Sequence, residues 1–210
     1  MSRLRPSHSH VAVTAPGTNR RRVVLAGFAL LLPACATRIV EIPPEAEAKS
    51  ARDALTLTEV KTVGRPGDWL VIRGYHATDN LVVSLTNKPF SHAAVLDLER
   101  DQAIEAEAQG VHTSPLSDFV AKSHRLLLVR PMWANAASAP AAVAKARDLV
   151  GRQYDFLGLI GLNVPDAYYC SELALEVYRP YIRAGDVIAR PIEPGQLHHY
   201  GRILFDSGPP

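Results

Sequence analysis

Residues 169–181 read YCSELALEVYRPY, and this stretch predicts an amphipathic helix that runs to about Tyr181. Its apolar positions recur at helical spacing and therefore share one inward face; they are Cys170, Leu173, Ala174, Val177, Tyr178 and Tyr181. Cys170 falls in the predicted first turn, where unpaired backbone N–H groups favour negative charge. Because the thiolate is the nucleophilic form of cysteine, this position favours a reactive thiol. The same apolar face is equally compatible with an inert, packed cysteine.

The residues that precede this helix predict a sheet and one more helix. Four runs are expected to be strands, namely 69–73, 91–97, 103–111 and 126–130. Residues 138–150 are expected to form a helix, with Ser138 as its N-cap and Gly151 just beyond its end. Because the strands come first and the helices later, the order predicts an α+β fold rather than a doubly wound parallel sheet.

His92 is the histidine best placed to serve a cysteine nucleophile, which needs a base held by a third polar group. Among the eight histidines, it opens an apolar strand, so its ring stands at the rim of the predicted sheet. If residues 99–100 form a two-residue turn, His92 faces Glu107 directly. Glu105 then lies diagonally across on the same face, roughly 7–8 Å away at Cβ and within reach of a long side chain. A three-residue turn would move both glutamates to the other face, so the residues alone leave Glu105 and Glu107 as alternatives.

A series of short motifs occurs along the chain in a definite order. They are Gly67-Asp68-Trp69-Leu70-Val71, Ser91-His92-Ala93-Ala94-Val95, Ile104-Glu105-Ala106, Gly110-Val111, Pro115-Leu116-Ser117-Asp118-Phe119, Tyr154-Asp155-Phe156, Tyr169-Cys170-Ser171-Glu172-Leu173 and Pro191-Ile192-Glu193-Pro194. Over about residues 64–206, this order resembles the permuted papain-like amidases, the YaeF/YiiX-like branch of the NlpC-type cell-wall peptidase superfamily. Ala93-Ala94 departs from the Val-Gly that is more usual after the histidine.

The resemblance implies a circularly permuted papain-like fold, in which an antiparallel sheet or half-barrel packs against helices and the histidine strand precedes the cysteine helix. It implies Cys170 as nucleophile, His92 as base and Glu105 as the residue that orients His92. It implies no metal and no cofactor. The chain also has no His-Glu-x-x-His or Cys-x-x-Cys pattern.

The expected activity is cleavage of an amide bond through an acyl-enzyme. The backbone N–H of Cys170 and a second donor would meet the developing oxyanion, and Tyr154 is the candidate for that donor. The expected substrate is a cell-wall peptide or another acyl amide, such as a peptidoglycan fragment. The alternatives are an acyltransferase or thioesterase that acts on lipid-type acyl groups, and a catalytically degenerate binding module.

The N-terminal segment predicts export. Arg20-Arg21-Arg22 precedes an uncharged apolar run that ends in Leu32-Pro33-Ala34-Cys35. A basic stretch, a short apolar core and a small residue before the cut are the parts of a secretory signal. The last four residues resemble the lipobox of bacterial lipoproteins, although Pro33 is unusual there. Residues 1–34 are therefore interpreted as a signal peptide, with lipid expected on Cys35. The alternative is a cleaved signal peptide without lipid on Cys35.

The remaining residues are divided into a lipidated tether over 35–62, with a short surface helix over 45–57, and a hydrolase domain over 63–210. The lipid would attach the domain to a membrane of the bacterial cell envelope, facing the periplasm. Ala36, rather than Asp, after Cys35 favours the outer membrane.

Charge and composition exclude several other classes. The chain has 210 residues and 47% of them are hydrophobic, which is too many for a disordered protein. Residues 1–35 hold five arginines and no acid, which leaves 18 basic and 21 acidic residues for the rest. A net charge of −3 with no basic cluster gives no reason to expect nucleic acid as a partner. Two cysteines exclude a disulfide scaffold.

Overall fold

The computed structural model describes residues 46–75, Asp79 and residues 89–208, which all fall within one compact unit. The predicted signal peptide, Cys35 and residues 36–45 of the predicted tether lie outside the described residues. None of the helices among the described residues is both long and apolar enough to cross a bilayer.

Six antiparallel strands form the single sheet of the described residues. They are β1 Trp69–Gly74, β2 His92–Asp97, β3 Gln102–Glu107, β4 Gly110–Pro115, β5 Ser123–Pro131 and β6 Gly201–Asp206. Their order across the sheet is β4-β3-β2-β1-β5-β6, so β2 is an inner strand with β3 beside it. Every residue of β1 and β2 is buried, which means that both faces of the sheet are covered at these two strands.

Within the described ranges, the helices that cover the two faces are α1 Ala46–Val63, α2 Leu116–Ala121, α3 Ser138–Asp148 and α4 Cys170–Glu176. Side chains alternate along a strand, so β1 feeds two separate clusters. Leu70 packs in one cluster with Val60 of α1 and Phe119 of α2. Val71 packs in the other with residues of α3 and α4. The prediction of an α+β fold, in which an antiparallel sheet packs against helices, is confirmed.

The predicted strand over 103–111 is wrong, because this segment is split between the two strands β3 and β4. Residues 108–109 form a two-residue turn between them, in which Glu107 pairs with Gly110. Gly110 has a φ of +104°, and a Cβ there would lie 2.3 Å from the carbonyl oxygen of Arg152. The chain therefore reverses next to a position that only glycine fills without strain.

The predicted helix over 169–181 ends early, since α4 stops at Glu176 and a 3-10 turn follows at Arg179–Tyr181. Pro180 explains this end, because proline has no N–H for an α-helical hydrogen bond and disfavours helical backbone at the residue before it. The helix predicted over 138–150 likewise ends at Asp148, and Val150 is exposed.

The surface helix predicted over 45–57 is longer than expected and is not only a surface feature. Helix α1 extends to Val63, and Val60 is fully buried in the core cluster that contains Phe119. The described part of the predicted tether therefore contacts the domain from Lys49 onward, where the ammonium group donates to the Ala121 carbonyl.

Candidate active site

The connection between β2 and β3 decides which side chains meet His92. It comprises residues 98–101, with a 3-10 turn at Leu98–Arg100 and Asp101 in the left-handed region at φ 51°. The structure therefore forms neither the two-residue turn over 99–100 nor the three-residue turn that the sequence left open. The observed connection has four residues, an even number, and it places Ala94 opposite Glu105 as a two-residue turn over 99–100 would. His92, Glu105 and Glu107 consequently lie on the same face of the sheet.

His92 and Glu105 form a short, buried contact. His92 Nε2 lies 2.6 Å from Glu105 Oε2, and the Glu105 side chain is 0% exposed. The Ser114 hydroxyl donates to the other carboxylate oxygen, Oε1, at 2.5 Å. Lys122 Nζ donates to Oε2 at 2.5 Å. The Glu105 carboxylate is thus held from three sides, and one of its oxygens faces the imidazole.

These contacts favour the charged forms of both residues. Burial disfavours the Glu105 carboxylate, but the hydrogen bond and charge of His92, together with Lys122, hold its pKa well below the ordinary range. Burial also disfavours the charged imidazole, yet interactions with Cys170 and Glu105 outweigh it and raise the pKa of His92 to about 10. At neutral pH the pair is therefore an imidazolium and a carboxylate.

Glu107 is the other partner of His92 that the sequence analysis considered, and it lies further from the imidazole than Glu105 does. Its Oε1 is 3.8 Å from His92 Nε2 but 2.7 Å from Lys122 Nζ. Its Oε2 lies 3.3 Å from His112 Nε2, and the side chain is 35% exposed. Glu105, rather than Glu107, makes the short contact with the histidine.

His92, Glu105 and Glu107 each offer a ligand atom, and these atoms lie within 4.8 Å of one another. Two carboxylates and one histidine form a set that divalent metals accept. The ammonium group of Lys122, however, already donates to both carboxylates. A divalent cation on the same oxygens would meet this positive charge, so the donor set in this arrangement does not fit a metal ion.

Cys170 is the first residue of α4 and is 5% exposed. Two contacts fix the start of this helix: the Ser171 hydroxyl donates to the Ile192 carbonyl at 2.7 Å, and the Ile192 N–H donates to the Tyr169 hydroxyl at 3.0 Å. Interaction with Cys170 is one of the causes that raise the pKa of His92, so the thiol and the imidazole are neighbours. With Nε2 directed at Glu105, the remaining ring nitrogen, Nδ1, is the one available to the thiol.

Tyr154 is partly buried and packs against the core cluster that also contains Tyr169. Burial raises the pKa of its phenol far above the ordinary value, and negative charge at Cys170 and Glu107 raises it further. The hydroxyl therefore stays protonated and keeps its hydrogen for donation.

The strand β4 holds the segment that leads to Tyr154. The Val111 N–H donates to the Arg152 carbonyl and the Gly151 N–H donates to the Val111 carbonyl, both at 2.8 Å.

An apolar loop follows Tyr154. Asp155 is fully buried and accepts hydrogen bonds from the N–H groups of Gly158 at 2.7 Å and Val164 at 3.1 Å, which closes the loop. Five large apolar side chains are left exposed on it, at 60%, 50%, 44%, 72% and 59%; they are Phe156, Leu157, Leu159, Ile160 and Leu162. The Phe156 ring lies 4.7 Å from that of Tyr154, so this apolar loop is continuous with the candidate site.

A cavity of about 510 Å³ adjoins the start of α4. Gly158 and Gly161 of the apolar loop line it, as do Tyr169, Glu172 and Arg190. Burial raises the pKa of Glu172 to about 7, although a hydrogen bond from the Tyr169 backbone opposes this shift. Cys170 and His92 are not among its lining residues, so the cavity flanks the cysteine helix.

Sequence reasoning missed Lys122, Ser114 and Phe119 as parts of this site. Ser114 follows from the turn over 108–109, because that register puts it diagonally across from Glu105. The Phe119 ring lies 5.9 Å from that of His92. Phe119 and Lys122 reach the site only because α2 folds back onto the sheet, and no local pattern predicts that approach.

The model of the permuted papain-like amidase enzymes, YaeF/YiiX, C92 family, matches residues 65–189. Among solved structures, the crystal structure of metalloprotein yiiX from Escherichia coli O157:H7 is similar, with 22% identity and a TM-score of 0.47 over 58% of this chain and 69% of that chain. No curated protein matches the chain.

Proposed function

The chain belongs to the permuted papain-like amidase family YaeF/YiiX, C92, and on that premise we propose that it cleaves amide bonds through an acyl-enzyme on Cys170. The observation that carries this residue assignment is the 2.6 Å contact between His92 Nε2 and Glu105 Oε2. A histidine that serves a nucleophile requires such a partner to fix its orientation and stabilise its charged form.

In the first half of the reaction, the Cys170 thiolate attacks the carbonyl carbon of the amide. The developing oxyanion accepts hydrogen bonds from the Cys170 backbone N–H, which has no intrahelical acceptor in the first turn, and from the Tyr154 hydroxyl. The His92 imidazolium then gives its proton to the nitrogen of the leaving amine. The C–N bond breaks, and the acyl group stays on sulfur as a thioester.

In the second half, His92 is neutral and accepts a proton from water. The resulting hydroxide attacks the thioester carbonyl, the C–S bond breaks, and the carboxylic acid leaves. Glu105 keeps its charge throughout and faces His92 Nε2 in both halves. Cys170 and His92 return to the thiolate and imidazolium with which the cycle began.

We expect the pH dependence of amide hydrolysis to carry the signature of this pair. The charged form of His92 protonates the leaving amine, and its pKa is raised from 6.5 to about 10. The kcat/KM for an amide should therefore hold through pH 8 and fall as the pH rises through about 10. A pH–rate profile checks this. A descending limb near 6.5 would mean that His92 is not paired as proposed.

The binding-module alternative makes a different prediction for thiol chemistry. An activated Cys170 should react quickly with iodoacetamide near neutral pH, and His92→Ala should slow that reaction. Slow alkylation that is unchanged in His92→Ala would support a protein that binds without catalysis.

The proposed location is the bacterial cell envelope, where lipid on Cys35 would hold the domain on a membrane, facing the periplasm. A domain placed there meets the stem peptides of peptidoglycan, which are one proposed substrate class. The apolar loop over 156–162 favours a second class, amides of lipid-type acyl groups. Exposed apolar patches of this kind mark sites that take apolar ligands or membranes.

We expect N-acyl amides to separate these two classes. If the apolar loop takes the acyl chain, kcat/KM should rise with chain length by up to about fourfold per CH₂, the limit set by roughly 0.8 kcal/mol of burial. Leu159→Ser with Ile160→Ser should flatten this rise, whereas Val187→Ser, at a residue that is 89% exposed outside the loop, should not. Mass spectrometry of the products measures the cleavage of the N-acyl amides and, in parallel, the cleavage of murein peptides. No dependence on chain length, together with cleavage of murein peptides, would favour the cell wall.

A further inference from the structure

Lys122 is placed between the two glutamates of the candidate site. Its Nζ lies 2.5 Å from Glu105 Oε2 and 2.7 Å from Glu107 Oε1, and its side chain is 16% exposed. Lys122 is the C-cap of α2, directly after Ala121, and its N–H donates to the Asp118 carbonyl at 3.1 Å. Its own carbonyl accepts a hydrogen bond from the Tyr75 N–H at 3.2 Å, so the backbone of Lys122 is anchored on both sides.

Lys122 separates the roles of two carboxylates that would otherwise compete for one imidazole. Glu107 Oε1, the oxygen that Lys122 binds, lies 3.8 Å from His92 Nε2. Freed from the ammonium group, this oxygen could move by about one ångström and accept the hydrogen bond that Glu105 now takes. Two unneutralised carboxylates side by side would also disfavour ionisation of the buried one.

We propose that Lys122 is a positioning residue of the reaction: its ammonium group fixes the Glu105 carboxylate against His92 and holds Glu107 away. Lys122 acts through Glu105 and touches no reacting atom. The Phe119 ring supports the arrangement, because it lies 4.9 Å from Lys122 Nζ and 5.9 Å from the His92 ring. The role in catalysis rests on the proposed function, but the effect of Lys122 on the ionisation of the cluster does not.

The charge of Lys122 should therefore affect the acid limb of the pH–rate profile, which is the range in which the rate falls as the pH is lowered. Burial raises the pKa of Glu105, His92 lowers it, and the charge and hydrogen bond of Lys122 lower it further. Without the ammonium group, Glu105 should take up a proton at a higher pH and lose its bond to the imidazolium. The other groups that face this cluster are His92, Glu107, His112, Ser114 and, through His92, Cys170.

The experiment compares the full chain with Lys122→Met, Lys122→Arg and Lys145→Met. Lys145 also forms a half-buried ion pair, 2.6 Å from Glu176, and serves as the matched control. In Lys122→Met we expect kcat for the amide to fall about 30-fold with KM within about twofold. The acid limb, measured for hydrolysis and for alkylation of Cys170 by iodoacetamide, should move up by about one pH unit or more. Lys122→Arg should stay within about threefold of the native rate, since it keeps the charge, and Lys145→Met should match the native profile.

A folded Lys122→Met protein with the native pH profile would overturn the role of Lys122. If that variant does not fold, Lys122→Gln replaces it, because the amide keeps hydrogen-bond donors without the charge and should show the same shift. A native chain that alkylates but does not hydrolyse amides would instead overturn the proposed function. The alkylation profiles would still decide the role of Lys122 in that case.

Discussion

Replacing Cys170 with alanine is expected to lower the rate of amide hydrolysis by about 10⁴-fold or more, to the background of the assay. The thiol is the atom that forms the acyl-enzyme, and no other group in the proposed mechanism replaces it. Cys170 is 5% exposed at the first position of α4, so alanine removes one sulfur atom from a packed site without disturbing the helix. The melting temperature should change by only a few degrees, as is typical for a small deletion.

The control for this variant is Cys35→Ser. Cys35 is the only other cysteine of the chain, and its proposed role is to carry lipid rather than to react with the amide. Hydrolysis of a soluble amide should therefore be unchanged in Cys35→Ser. Native turnover in a folded Cys170→Ala protein would show that the nucleophile has been assigned to the wrong residue.

The parity of the connection between β2 and β3 decides whether Glu105 and Glu107 lie on the same face of the sheet as His92. His92 opens a strand, and any even-numbered connection to the next strand puts Glu105 and Glu107 on its face. The actual connection has four residues, with Asp101 in the left-handed region, and its register is the one that a two-residue turn over 99–100 would give rather than that of a three-residue turn. Side-chain alternation is a local rule, so a connection that is two residues longer leaves the same side chains on each face.

The choice between the glutamates could not be made in this way, because it depends on distant segments. Ser114 and Lys122 hold Glu105, and Lys122 also holds Glu107. Lys122 comes to the site because α2 packs against β3, a long-range contact that no periodicity encodes. The same limit explains the strand predicted over 103–111: its alternation continues through residues 108–109, and only the backbone of Gly110 reveals the turn.

The exposure of the apolar loop is another feature that cannot be predicted from its own residues, because it depends on the contacts of Asp155. A run such as 156–162 would be interpreted from its residues alone as buried core. The buried Asp155 instead closes the segment into a loop that leaves its large side chains exposed beside Tyr154. Side chains exposed in this way are available to an acyl chain, and the chain-length series of N-acyl amides tests whether they bind one.

Replacing Glu105 with glutamine is expected to lower kcat for the amide by about 10²- to 10³-fold, the usual contribution of a well-placed general acid and base. Glutamine has nearly the same shape but no charge, so the stabilisation of the imidazolium by Glu105 is lost. The pKa of His92, which is about 10 because interactions with Cys170 and Glu105 outweigh burial, should fall. The descending limb of the pH–rate profile should accordingly move to lower pH, since the imidazolium persists only below the pKa of His92.

Glu107→Gln is the matched control, because it makes the same change two residues along the same strand. Glu107 Oε1 lies 3.8 Å from His92 Nε2, whereas Glu105 Oε2 lies 2.6 Å from it. The Glu107 side chain is 35% exposed, and that of Glu105 is 0% exposed. We expect Glu107→Gln to stay within about threefold of the native rate and to leave the descending limb near its native pH, because Lys122 still holds Glu105. If Glu107→Gln instead caused the greater loss of kcat and the larger shift, Glu107 would be the partner that orients His92. The comparison therefore decides between the two carboxylates that share the histidine's face of the sheet.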